Sequence, residues 1–511
     1  MNDLAGGTAR RRVPLLVWLA GILSASMYVP AIHAVLRDAH FEGRVFFYWG
    51  TILLFLTGAV AIASARERSS NVTRSHLVAL LGALTLLPGM AAIPLWEVLA
   101  NTRPVNAYVE MVAAITTTGG TLFAPTRLSE TLHLWRAVVG WQGGLLMLVA
   151  AVAILDPLRL GGFEVTEATA IRRGASVTTR IQTPDPEIRL LRSLRVIGPI
   201  YAVLTGALWA FLVAAGETPT RAVIHAMSTL STSGITARTG MVDNGAGIIG
   251  EMAVFAFLLF AVTRIAFTEE RWRDRLTRLP DNRELRIAAA IVGSVSVLLL
   301  LRHWVFALDV QAETDALGAL RALWGTAFTV LSFLTTTGWE STDWATARTW
   351  SGLDTPIVLL LGLALFGGGV ATTAGGVKLL RIYALYEHGR REIHLLVHPH
   401  GIAGGAGART RLPMRGVEAA WVFFMLFALG IGAVTLALSI TGVSFTNAMI
   451  LAISALTTTG PLADIALGTG PATGIGTLSD AAKIIWAGAM VLGRLETLAL
   501  IALFNPDFWR K

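Results

Sequence analysis

The chain has 511 residues, of which 54% are hydrophobic and only 14% charged, and its mean hydropathy is +0.63. A soluble domain carries roughly 25% charged residues, so this chain cannot clothe a globule of its size in polar surface; a soluble enzyme, a nucleic-acid-binding domain and a disordered chain are excluded. The absence of cysteine excludes disulfides, thiolate metal sites and cysteine nucleophiles, and the net charge of +8 takes its meaning from where the charges lie.

At the N-terminus Arg10, Arg11 and Arg12 precede an apolar run of about 24 residues, longer than the 7–15 of a signal-peptide core, so it is read as a retained span. Continuing along the chain, uninterrupted apolar runs predict ten spans, at 13–36, 45–65, 76–100, 132–155, 194–216, 246–267, 286–308, 355–386, 417–440 and 480–504. Such long runs are not the alternating segments of about ten residues that make a β-barrel. The eighth run is too long for one straight helix and has a glycine-rich break inside it. The connections alternate in charge. One set, from Arg10 through Arg66, Arg159–Arg195, Arg271–Arg286 and Arg390–Arg415 to Lys511, holds 26 Arg and Lys residues, and the opposite set holds 7. Translocating basic loops is disfavoured, so the rich side is expected to be cytoplasmic, with both termini on it. The basic excess also predicts some contact with anionic lipid headgroups.

Four short sequences between spans share the pattern [ST]-T-[ST]-G: Thr116–Gly119, Ser231–Gly234, Thr335–Gly338 and Thr457–Gly460. Chance at this composition supplies on the order of 0.1 such matches, so four copies point to internal repetition. Their glycines lie 115, 104 and 122 residues apart, enough for two spans and a loop. Each follows a short semi-apolar helix pattern, at 105–115, 219–230, 316–334 and 444–456. The chain is therefore expected to be an all-α polytopic membrane protein of four pseudo-repeats, each reading span, pore half-helix, filter turn, span, around one ion pathway. The repeats are placed at 70–165, 166–275, 276–400 and 401–511, with two extra N-terminal spans in 1–69.

A half-helix that ends inside the membrane leaves its last carbonyls without partners and presents the negative end of its dipole. That is tolerable only where it lines a watery cavity. Threonines followed by glycine permit an extended turn with φ > 0 at the glycine, and four such turns about an axis make a ring of backbone oxygens able to replace the hydration shell of a monovalent cation. The residues assigned to this filter are Thr117, Thr118, Gly119, Thr232, Ser233, Gly234, Thr336, Thr337, Gly338, Thr458, Thr459 and Gly460. No carboxylate sits in a turn, which argues against a divalent-cation site. Glu110 and Glu340, beside the turns, either set the field at the mouth or are satisfied polar contacts, the second being the reading preferred here. That Thr-Gly merely ends a helix explains one copy but not four in the same place of a repeated unit.

These turns, together with Val109-Glu110-Met111 through Thr121, Trp135-Arg136, Trp141-Gln142-Gly143-Gly144, Gly367-Gly368-Gly369 through Lys378, the loop from Arg391 to Pro399 and Gly493-Arg494-Leu495-Glu496, resemble the Trk/Ktr/HKT superfamily of potassium-uptake proteins, over nearly the whole chain. The two extra N-terminal spans resemble its TrkH type. The resemblance implies a potassium-translocating subunit of a bacterial cytoplasmic (inner) membrane, a homodimer with one pore per protomer, gated by a cytosolic TrkA-like ring of nucleotide-binding regulatory subunits. Potassium would be the permeating ion, with no tightly bound cofactor. All four filter glycines are present, which in this family looks like potassium selectivity, whereas serine at the first accompanies sodium selectivity. Two departures stand out: the fourth turn lacks the asparagine often seen there, and Gly369–Gly376 reads Gly-Val-Ala-Thr-Thr-Ala-Gly-Gly in place of a Ser-Thr-Gly-Gly-Gly run.

The gate is expected in the eighth span, where Gly367, Gly368, Gly369, Gly375 and Gly376 break the helix and free backbone for other bonds; close helix packing through small residues is the alternative. Arg494, mid-span in the tenth run with Lys483 earlier in it, must face a partner or a water-filled cavity and is assigned to the pore below the filter, since pairing with Glu496 at i,i+2 is poor geometry. Lys378 and Arg381 are read as anchors or partner contacts, Lys378 being included with the gate, and Arg302 as snorkelling. Of His388, His394, His398 and His400, the pair four apart could hold a metal on a helix, but Pro399 interrupts any helix; docking of the regulatory subunit is the preferred role. The expected function is potassium uptake without a chemical step, since −100 mV drives a cation inward by about 2.3 kcal/mol. A symporter coupling K⁺ to Na⁺ or H⁺ is the alternative, with Glu97 and Glu251 the main acids available to it. An intramembrane enzyme would need a catalytic constellation at membrane depth, and none is seen.

Overall fold

The computed structural model describes residues 13–64, 72–155, 186–238, 240–242, 245–263, 282–306, 316–398, 414–468 and 474–495. Every regular element among them is helical. In chain order the α-helices are α1 (Leu15–Ser26), α2 (Tyr28–Leu36), α3 (His40–Ser64), α4 (Val72–Thr85), α5 (Leu87–Val98), α6 (Pro104–Ile115), α7 (Glu130–Ala150), α8 (Pro186–Ala214), α9 (Pro219–Ser231), α10 (Gly247–Val262), α11 (Arg283–Phe306), α12 (Ala316–Leu334), α13 (Trp344–Ser351), α14 (Ile357–Phe366), α15 (Leu379–Val397), α16 (Met414–Ile440), α17 (Phe445–Leu456), α18 (Pro461–Leu467) and α19 (Asp480–Leu495). Most of the basic loops, His400 and Glu496 lie outside the described residues.

Among the described residues eight helical stretches are long and apolar enough to cross a membrane, which makes this a multi-pass membrane protein. Seven of them match predicted spans. The eighth is α12, whose 19 residues reach about 28 Å at 1.5 Å per residue, longer than the half-helix its sequence pattern implied. Its first turns are exposed, with Leu317 54% and Leu320 64% accessible, and everything from Phe328 to Leu334 is buried. The sixth, eighth and tenth runs form shorter helices (α10, α14 and α19), the eighth because it breaks after Phe366 and resumes only at Leu379.

Prolines set several helix ends. Pro104 and Pro219 stand at N1 of α6 and α9, where the missing N–H costs nothing and φ is already helical. Pro88 marks the joint between α4 and α5, for the opposite reason: it cannot bond back to the preceding turn. Large apolar side chains face outward on the rim, Phe55 and Ile62 on α3 and Ile440 on α16 each being about 80% exposed. The hydroxyl-rich turns lie in the middle and are almost wholly buried. This inversion is what lipid solvation outside and a polar pathway inside require. α7, the most enclosed long helix, packs against α2, α6, α8 and α9.

Candidate functional site

The four turns are built alike through their first three residues. In each, the third residue's N–H reaches back five positions: Thr118 to Ala113 O (2.9 Å), Ser233 to Ser228 O (3.0 Å), Thr337 to Ser332 O (2.9 Å) and Thr459 to Ser454 O (2.8 Å). The middle residue is left-handed, with φ of 54° at Thr117, 50° at Thr232, 59° at Thr336 and 55° at Thr458. This is a Schellman end, but with threonine where glycine is usual, a strain of about 1–2 kcal/mol at each copy. Hydroxyls hold it there. The first residue's hydroxyl bonds the carbonyl four residues back, at Val112, Met227, Leu331 and Ile453, and pairs with the third residue's hydroxyl at 2.9–3.2 Å. The need for Ser or Thr at the first and third positions of the motif follows directly.

The glycines then let the turns close on one another. A Cβ at Gly119 would overlap the Ser233 carbonyl oxygen, and one at Gly234 the Thr337 carbonyl oxygen. The Thr118 carbonyl accepts the Gly460 N–H at 2.6 Å. Turn 2 thus leans on turn 1, turn 3 on turn 2 and turn 1 on turn 4, each through its third carbonyl. The cycle closes differently between turns 3 and 4, where a Cβ at Gly338 would meet Thr459 Cγ2 and Pro461 Cβ at 3.1 Å. The reason is local. Gly119, Gly234 and Gly338 have positive φ, whereas Gly460, at φ −62°, caps the short helix α18; the expected left-handed glycine is absent from the fourth turn. Spans press on the half-helix ends in the same manner at both extremes of the chain, since a Cβ at Gly143 would overlap Ile115 O and one at Gly493 would overlap Leu456 O.

Outside the glycines lies a cavity of about 220 Å³, with Gly119, Gly234, Gly338 and Pro461 on its wall beside Arg136, Arg238, Glu340 and Asp464. Glu110 is a satisfied contact: it pairs with Arg136 at 2.6 Å and accepts from Thr121 Oγ1 and Leu122 N. Glu251, first considered for proton coupling, accepts from Trp324 Nε1, Ser341 Oγ and Thr342 N, and Glu97 accepts from Trp49. Burial pushes the Glu340 carboxyl up, against the pull of Arg348. Asp464 was not singled out from the sequence although it stands four residues after Gly460; burial, with Glu110 nearby, pushes it up to about 8. Trp339, directly after Gly338, also went unnoticed, and its indole donates to Gly234 O at 2.9 Å.

On the other side of the turns runs the chain between α14 and α15. It leaves the helix at Gly367 (φ 71°) and passes through positive φ again at Ala371, Gly376 and Lys378. The span breaks here, and the glycines sit where a side chain would strike backbone, Gly367 against Gly375 O and Gly369 against Val262 O. Gly375 N donates to Thr336 Oγ1 at 2.8 Å, and a Cβ on Gly375 would overlap Thr457 O and Thr458 Oγ1, so the loop touches turns 3 and 4. Gly368 packs on Ala374 and Ala261 O, and Gly376 on Ala364 O. Glu284 of α11 accepts Val370 N at 2.7 Å. Arg494 is buried and donates to Thr373 O, and Lys378 donates to Ala374 O.

Other candidates fall away from this centre. Lys483 bonds Asn106 at 2.9 Å. Arg302 reaches the Gly352 carbonyl at the end of α13, a protein partner that snorkelling does not require. Arg381 is fully buried, its guanidinium 3.7 Å from the Phe423 ring centre. His394 and His398 stack at 5.0 Å.

Comparison with known proteins fits this architecture. The family model for TrkH, described as a cation transport protein, matches residues 286–511. The Trk system potassium uptake protein TrkH of Vibrio parahaemolyticus is 29% identical over 96% of this chain and 97% of its own. TrkH of Escherichia coli K12 is 27% identical over 98% and 99%, and TrkG of that strain 27% identical over 97% of both. The crystal structure of the potassium transporter TrkH from Vibrio parahaemolyticus superposes with a TM-score of 0.77 at 26% identity, over 97% of this chain and 98% of that one. Four like turns meeting inside a multi-pass helical protein, with relatives of one kind matched over nearly their full length, make this chain similar in sequence and in fold to the TrkH cation transport proteins.

Proposed function

We propose that the chain takes up potassium across the bacterial cytoplasmic membrane, through a pore whose selectivity filter is the backbone of the four Thr-Gly turns. The single observation that carries this is the cyclic contact among them, Ser233 O on Gly119, Thr337 O on Gly234 and Thr118 O on the Gly460 amide. Peptide oxygens gathered in a ring without carboxylates replace the water of one monovalent cation. Buried hydroxyls of Thr117 and Thr458, without hydrogen-bond partners among the described residues, leave polar atoms for an ion or its water. The loop 367–378 lies against turns 3 and 4 and is held by Arg494, which suits an obstruction on the cytoplasmic side of the filter. The membrane potential alone drives entry, about 2.3 kcal/mol per 100 mV. Coupled symport is the weaker reading, because Glu251 and Glu97 are occupied as hydrogen-bond acceptors.

A homodimer, termini in the cytoplasm and gating by a TrkA-like nucleotide-binding ring rest on the family resemblance and on the distribution of Arg and Lys. The test is ion flux into proteoliposomes with K⁺, Rb⁺, Na⁺ and Li⁺. Uptake of K⁺ and Rb⁺ well above the other two is expected; equal uptake of all four ends the reading.

A further inference from the structure

Two buried glutamates do the same work from unrelated positions. Glu110, on the half-helix α6 itself, receives the Leu122 N–H at 2.8 Å and the Thr121 hydroxyl at 3.0 Å, and is pinned by Arg136 of α7. The carboxylate therefore holds the backbone two and three residues beyond Gly119. Glu251, on the span α10 that follows turn 2, receives the Thr342 N–H and the Ser341 hydroxyl, both at 2.7 Å, and is pinned by Trp324 Nε1 of α12 at 3.0 Å. It holds the backbone three and four residues beyond Gly338. Both side chains are 0% exposed. An unpaired carboxylate is expensive to bury, so neither is there for packing; each is satisfied by the chain it holds.

The second clamp continues into the filter. The short segment from Gly338 to Ser341 is fastened at one end by Glu251 and at the other by the turn, and between them stands Trp339. Its N–H bonds Ser332 Oγ at 2.7 Å and its indole donates to Gly234 O at 2.9 Å. Glu251 thereby fixes a donor that orients a carbonyl of the neighbouring turn. The fourth turn has no such carboxylate clamp among the described residues and has a different device, since its chain enters α18 directly and is ordered by that helix's own bonds, Ala463 N to Gly460 O at 2.9 Å.

We propose that Glu251 and Glu110 are positioning residues for ion discrimination: they hold the segments just outside turns 3 and 1 so that the filter oxygens keep the spacing suited to the larger ion. The inference rests on the potassium-uptake reading above. A filter set loosely admits ions of other sizes, because its oxygens can follow a smaller ion inward. Glu251→Gln keeps the side chain's size but can accept only on one oxygen, so the Trp324 N–H or the Thr342 N–H loses its partner.

The experiment measures Rb⁺ and Na⁺ flux into proteoliposomes for the parent, Glu251→Gln and Ser341→Ala. In Glu251→Gln the Rb⁺ over Na⁺ ratio is expected to fall about tenfold, equivalent to about 1.4 kcal/mol, mainly through added Na⁺ flux. Ser341→Ala, which removes one donor from the carboxylate and leaves the membrane helices alone, is expected to lower the ratio by a smaller factor. A merely structural role would lower the yield or thermal midpoint and leave the ratio where it was. An unchanged ratio in Ser341→Ala, and in Glu251→Gln if it folds, overturns the inference. A parent that does not prefer Rb⁺ overturns the potassium reading instead.

Discussion

Replacing Gly119 by serine is the sharpest test of the ring. At φ +75° any L side chain costs about 1–2 kcal/mol, but Gly338 at +80° bears the same charge, so strain alone does not separate the two. Contact does. The new Cβ at Gly119 falls more than 1 Å inside the 3.0 Å limit from the Ser233 carbonyl oxygen, whereas at Gly338 the nearest atoms are side-chain carbons of Pro461 and Thr459 at 3.1 Å. Gly119→Ser must push a peptide of the second turn aside by more than 1 Å. Gly338→Ser needs only a few tenths of an ångström from side chains. Losing one well-placed polar contact to a charged group costs about 1.5–3 kcal/mol, at least about a tenfold change in the ion ratio. In proteoliposome flux Gly119→Ser should therefore reduce the K⁺ over Na⁺ ratio at least about tenfold, and Gly338→Ser should reduce it much less while lowering the thermal midpoint. A parent-like ratio in Gly119→Ser, or the reverse order of the two variants, would refute the contact cycle as the basis of selectivity.

Two further outcomes follow from the walls on either side of the four turns. Arg494→Ala removes the donor that holds Thr373 O and a positive charge beside the loop, so basal Rb⁺ leak without any regulatory partner should rise; unchanged leak would remove Arg494 from the gate. Asp464, pushed up to about 8, binds its proton more tightly folded than unfolded, so between the ordinary carboxyl range near 3.8 and 8 rising pH costs stability. A cation in the outer cavity favours the ionised form, so K⁺ and the proton compete. Half-saturation by external Rb⁺ should therefore shift to lower concentration as external pH rises from about 6.5 to about 9, and Asp464→Asn should flatten that dependence. Identical pH profiles in parent and variant would dismiss the competition.

The all-helical membrane class, seven of the long spans and the four turns were legible in the sequence because each rests on a local property: a run of about 20 apolar residues, or a hydroxyl pattern that closes one helix end. The motif itself stands four times in the sequence, and the same local chemistry closes a helix end at each copy. What the motif could not reveal was which residue takes the left-handed backbone. Glycine was expected to, and the middle threonine does as well, because the flanking hydroxyls and the bond five residues back outweigh its strain. The fourth glycine departs altogether because Pro461 starts a helix on it.

The partners across the fold were beyond any local reading. Glu251, one of the few acids available to the symport alternative, accepts a hydrogen bond from a segment 91 residues away; Trp339, which the sequence reading did not single out, donates to a carbonyl 105 residues away. The broken span carried its glycines in plain sight, yet the backbone that stands opposite them was not legible there. Sequence determined the elements, because helix, turn and span are decided within a few residues of chain. Tertiary structure decided how four strained turns share one centre, because which carbonyl meets which glycine depends on neighbours more than a hundred residues apart.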